Sequence, residues 1–110
     1  MNNHANISDD NFGAVINCAI RYAFGRNTSM PSLVIDFVTP LLPYLSGKTL
    51  LCIDKDLAEE FAAGNYPFQG SLWQKFHDNV REIRRGRGEQ PYKSWRDQMN
   101  ELEERNKARR

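Results

Sequence analysis

The breakers in this chain cut it into helical segments too short for anything larger than a small bundle. They fall at Gly25, Thr39-Pro40, Ser46-Gly47, Gly64-Asn65 and the stretch from Gly86 to Pro91. Gly and Pro are the strongest local breakers of regular structure. Between them, apolar residues recur at spacings of three and four, the period of one helix face. Phe12, Ile16, Ala19 and Ala23 follow the capping run Ser8-Asp9-Asp10-Asn11, and Val15, Ile20 and Tyr22 widen that face. The spacing predicts a central helix over 11–24, stopped by Gly25. Pro31 suits the first turn of a second helix. There the pairs Leu33/Phe37 and Val34/Val38 predict four inward side chains, although the β-branched content also admits a strand. Thr39-Pro40 breaks or kinks this element, leaving 40–45 as an apolar turn or a separate short helix.

The third helix is expected over 48–63, with Leu50, Ile53, Leu57 and Phe61 inward. Ser71 is expected to cap the fourth, which buries Trp73, Phe76, Val80 and Ile83. Ser94, with Asp97 three residues on, is expected to cap a fifth carrying the stripe Trp95, Met99 and Leu102. The expected fold is all-α: a compact bundle of four to five short helices with a basic C-terminal helical extension. The expected organisation is a loose N-terminus over 1–8, a helical core over 9–84, a flexible basic linker over 85–91 and a terminal helix over 92–110.

Composition excludes several classes. With 110 residues, 40% apolar and 26% charged, the chain is neither a disordered polymer nor a membrane-spanning one. The longest apolar run, Thr49 to Ile53, is far short of the roughly 20 residues that span a bilayer. Neither a basic n-region nor an apolar h-region is visible at Met1-Asn2-Asn3-His4, so a cytoplasmic location is expected. Two cysteines, Cys18 and Cys52, supply neither a disulfide framework nor a metal quartet, and both are expected to be buried. The net charge is +1, but it is unevenly spread. Residues 1–80 hold five Lys/Arg against eight Asp/Glu, and residues 81–110 hold ten against six.

No catalytic constellation, cofactor site or metal site emerges from the spacing. Gly47-Lys48-Thr49 shares three letters with a phosphate loop, but Leu42 stands where the earlier glycine is required, so it reads as a helix boundary. His77 has Asp78 beside it, yet adjacent helical residues do not face each other. It is expected at the surface or half-buried. Arg26, Thr28 and Ser29 sit before the second helix and offer an anion site, against the plainer reading of a helix corner with Arg21 paired to Asp36 or another carboxylate. Two surfaces are expected to meet a partner. One is the basic stretch Arg81, Arg84, Arg85, Arg87, Tyr92, Trp95 and Arg96, where cations alternate with aromatics in a way that also suits nucleic acid. The other is an acidic face bearing Asp54, Asp56 and Glu60.

The segment Ile20 to Asp36, IRYAFGRNTSMPSLVID, resembles small proteins of bacteriophages and prophages that carry an I-R-Y-A-x-G-R-x-[TS] pattern followed by V-x-D in an apolar helix. The matching residues are Ile20, Arg21, Tyr22, Ala23, Gly25, Arg26, Thr28 or Ser29, and Asp36. The resemblance covers about half the chain and brings no functional residues with it. It implies a mobile-element origin. The expected function is therefore that of a non-enzymatic accessory protein in a bacterial host. It would bind and inhibit a host protein complex, such as a defence or nucleic-acid-processing system. The alternative is a nucleic-acid-binding regulatory protein that uses the basic C-terminal segment. A dimer is open to the chain if the last stripe stays uncovered.

Overall fold

The computed structural model describes residues 9–109, with side chains from Asn11 onward. The expected loose segment 1–8, with His4, lies outside the described residues, as do the side chains of Asp9 and Asp10. The described chain is all-α. Helix α1 spans Asp9–Ala23 and α2 spans Met30–Val38. A 3-10 segment over Thr39–Tyr44 follows, then α3 over Gly47–Ala62, α4 over Gly70–Gly86 and α5 over Trp95–Ala108. Helices α1 to α4 and the 3-10 segment surround one core, in which α3 lies between α1 and α4.

That core is built from Ile16, Ile20, Ala23, Ile35, Val38, Leu42, Leu45, Leu50, Ile53, Leu57, Trp73, Phe76 and Val80. The faces of α3 and α4 fall as the spacing predicts, except that Phe61 and Ile83 are only partly buried. Those of α1 and α2 are rotated. In α1, Ile16, Ile20 and Ala23 face inward as expected, but Phe12, Val15 and Tyr22 are exposed and Gly13 faces inward at the start of the helix. Gly13 explains the rotation. A Cβ there would overlap Thr49 Oγ1 and lie 3.1 Å from Thr49 Cβ, so the missing side chain lets α1 settle directly on α3. In α2, Pro31, Ile35 and Val38 are buried, at i, i+4 and i+7. The expected inward pair Leu33 and Phe37 faces solvent, because a nine-residue helix can turn only one face to the core.

The break at Thr39-Pro40 resolves as a tightening. Thr39 Oγ1 donates to Ile35 O at 2.6 Å, and the chain continues as a 3-10 segment rather than a second α-helix. Ser46 caps α3, its hydroxyl accepting from Thr49 N at 3.2 Å, so Ser46-Gly47-Lys48-Thr49 is a helix start. Ser71 does not cap α4. The helix begins one residue earlier, and the N-cap position is Gln69, in the left-handed region at φ 60°. Both cysteines are exposed, contrary to the expectation of buried thiols: Cys18 and Cys52 lie on the flanks of α1 and α3 rather than in their seams.

Candidate functional site

The least expected feature is a charged centre inside the bundle. Asp54, on the α4-facing side of α3, is fully buried. Its Oδ1 accepts from His77 Nε2 at 2.7 Å, and its Oδ2 accepts from Arg84 Nη1 at 2.6 Å and from the backbone N–H of Tyr92 at 3.0 Å. His77 and Arg84 sit seven residues apart on α4, two turns along one face, and both are buried. Arg84 Nε donates to Glu89 Oε1 at 3.1 Å. Burial alone pushes the Asp54 carboxyl upward, but the hydrogen bonds from His77, Tyr92 and Arg84 outweigh it and hold the group below the usual carboxylate range. An ionised carboxylate only accepts, so His77 Nε2 carries the proton.

The same centre fastens the chain that follows α4. The stretch expected as a flexible linker is held by a series of bonds. Gly88 takes positive φ, and its N–H reaches Arg85 O at 2.9 Å, while Glu89 N–H reaches Arg84 O at 2.9 Å. Arg87 donates to Leu45 O at 2.9 Å and Pro43 O at 2.8 Å. Tyr92 is bound twice, by its backbone to Asp54 and by its hydroxyl to Glu59 Oε2 at 2.6 Å. Glu59 Oε1 also accepts from Trp95 N at 3.0 Å, and the Tyr92 hydroxyl, ahead of this amide, draws the Glu59 carboxyl below its ordinary pKa. Ser94 caps α5, accepting from Asp97 N at 3.2 Å, as the sequence predicts. Two carboxylates of α3, Asp54 and Glu59, thus anchor the start of α5.

These bonds change the standing of the expected partner surfaces. Asp54 and Arg84 face each other in the interior and are withdrawn from any partner in this conformation, because a buried charge is tolerable only when paired. Arg87 is occupied by carbonyls, and Arg85 pairs with Glu82 at 2.6 Å. Asp56 pairs with Arg21 at 2.9 Å, and Glu60 Oε2 accepts from Asn65 Nδ2 at 3.2 Å. The acidic face is therefore internally paired, and Arg21 meets Asp56 rather than Asp36. Nor do Arg26, Thr28 and Ser29 form an open anion site. Arg26 folds back over the Tyr22 ring at 4.2 Å and donates to Tyr22 O, while Thr28 Oγ1 accepts from Met30 N and Ser29 makes no side-chain cap.

What stays open is α5 and a cleft at its foot. Every residue of α5 from Trp95 to Ala108 is exposed, including Trp95 at 66%, Met99 at 42% and Leu102 at 49%. The stripe does not fold back on the core. The cleft lies between α3, α4 and the first turn of α5, and among its walls are Phe61, Tyr66, His77, Arg81, Ser94 and Arg96. His77, expected at the surface or half-buried, is buried, and its role was missed because its orienting carboxylate lies 23 residues away on another helix. An oriented imidazole suggests proton-transfer chemistry. Here the carboxylate is shared with Arg84, and the Ser94 hydroxyl in the same cleft serves as the α5 cap. The arrangement acts as a structural clasp. Among the described residues no helix is long and apolar enough to cross a membrane, and no His/Cys/Asp/Glu group could hold a metal ion. Compared with family models, curated proteins and solved structures, the chain finds no match.

Proposed function

We propose that this chain is a non-enzymatic binding protein that presents α5 to a protein partner. The observation that carries the reading is the apolar stripe Trp95, Met99 and Leu102, exposed on a helix whose base is fastened to the bundle. A helix of 14 residues with no buried side chain is marginal by itself and gains most from covering its apolar face. Trp and Met are common interface anchors. Helical geometry places Arg96 and Glu103 along one flank of the stripe and Gln98 and Arg105 along the other. The fitting partner therefore offers an apolar groove with a mixed-charge rim, into which the helix lies. The stripe spans about one heptad, too little to hold two copies together by α5 alone. The resemblance to phage and prophage proteins supports a partner from a bacterial host, with inhibition of a host complex as the outcome of binding. Nucleic acid is the weaker reading, because Arg84 is buried against Asp54, Arg87 donates to the carbonyls of Leu45 and Pro43, and Arg85 pairs with Glu82 on the surface.

The test is capture from bacterial lysate on the tagged chain, with and without nuclease, beside the triple variant Trp95→Ala/Met99→Ala/Leu102→Ala. One stoichiometric protein that resists nuclease and disappears with the triple variant supports the proposal. A partner retained by the variant, or one lost with nuclease, overturns it.

A further inference from the structure

We propose that the cleft at the foot of α5 binds a small phosphomonoester carrying one flat ring, with the phosphate held between Arg81 and Arg96. The two arginines come from different helices, α4 and α5, and line one cleft of 280 Å³. Among the described residues neither has an ion-pair partner, whereas Arg21, Arg84, Arg85 and Arg105 all do. Arg81 Nε is buried and makes no hydrogen bond, and such a group calls for a missing partner. Guanidinium forks match phosphate oxygens, and two of them balance the two charges of a phosphomonoester better than the single charge of a carboxylate. The first turn of α5 adds the positive end of its dipole. Asp97 is the one carboxylate in the wall, so the two arginines leave the cleft net positive.

The ring is called for by the rest of the lining. Tyr66 is exposed and packs against Phe61 with centroids 6.2 Å apart, and Phe61 stands 5.9 Å from the His77 ring. These surfaces offer a flat group a stacking face. With Nε2 committed to Asp54, His77 keeps Nδ1 available for a hydrogen bond at the buried end. The volume falls just below the usual range of ligand pockets, roughly 300–1,000 Å³, which suits a phosphate and one ring rather than a dinucleotide. A ligand bound here bridges α4 and α5 and so fixes the helix that the proposed function uses. The cleft stands or falls separately from that function, because its lining shares no residue with the stripe.

Calorimetric titration of the full chain tests it, with phenyl phosphate, cytidine monophosphate and inorganic phosphate as probes. Saturable binding is expected, tighter for the organic phosphates than for inorganic phosphate. Whichever organic probe binds tighter identifies the ring. Arg81→Gln and Arg96→Gln should each weaken binding by about tenfold or more, and Lys75→Gln, on the exposed side of α4, should leave it unchanged. Arg96 is exposed, so its variant remains informative if Arg81→Gln misfolds. The proposal is overturned if the folded chain shows no saturable binding, if inorganic phosphate binds as tightly as the others, or if Arg96→Gln binds like wild type.

Discussion

Replacing Asp54 by Asn keeps the size of the side chain and removes its charge. In the native centre that carboxylate takes three hydrogen bonds, two of them from side chains that are themselves buried, Arg84 and His77. Removing one partner of a buried ion pair costs about 3–5 kcal/mol, because the other charge stays desolvated. Arg84 retains Glu89, which is partly exposed, so the lower end applies, about 3 kcal/mol. For a domain of this size that is a drop in Tm of roughly 12 °C or more. Urea unfolding followed by far-UV circular dichroism reads it directly. Replacing both charges, as Asp54→Leu/Arg84→Met, should cost less than the sum of the two single changes, with a coupling above about 1 kcal/mol. A loss below about 1 kcal/mol for Asp54→Asn, or additive single variants, would falsify the claim that this centre holds α3, α4 and the α5 base together.

Gly13→Ala should lower stability by about 1–3 kcal/mol in the same assay, because the new Cβ meets Thr49 where α1 and α3 touch; a neutral result contradicts the close approach. Cys18 and Cys52 should both react with a thiol reagent in the native protein at rates near those of the unfolded chain, and protection of either refutes its exposed placement. The anchor of α5 should fail at both pH extremes. Asp54 and Glu59 have lowered carboxyl pKa values in the folded state, so their contribution is full above the unfolded values, about 3.9 and 4.3, and is lost as pH falls further. The Tyr92 hydroxyl is raised by its bond to Glu59, so its contribution is full below about pH 10 and lost above. The protection factors of the Tyr92 and Trp95 amides, taken against intrinsic exchange at each pH, should therefore fall at both ends, and unchanged protection refutes the anchor.

The helical plan was legible because the breakers and caps act locally. Ser46 and Ser94 cap helices through contacts three residues away, within reach of sequence spacing. What was not legible depends on pairs distant in the chain. Gly13 shows no sign of Thr49, 36 residues away, so the rotation of α1 could not be read from a spacing that fitted Phe12 equally well. Asp54 stood in an acidic run that resembles a solvated face, and only the crossing of α3 and α4 brings it to His77 and Arg84. Glycines at 86 and 88 read as looseness, yet Gly88 makes the turn that returns Glu89 and Tyr92 to the bundle. The mixed character of the basic segment could be resolved only by seeing which arginines were already paired.

The central claim is that the α5 stripe serves a partner and not the core. The most direct measurement is the unfolding free energy of the Trp95→Ala/Met99→Ala/Leu102→Ala variant against wild type. Exposed positions predict a difference within about 0.5 kcal/mol. Buried side chains of this kind contribute about 1.5–3 kcal/mol each, so a loss of several kcal/mol would mean that the stripe packs on the bundle, contradicting the account.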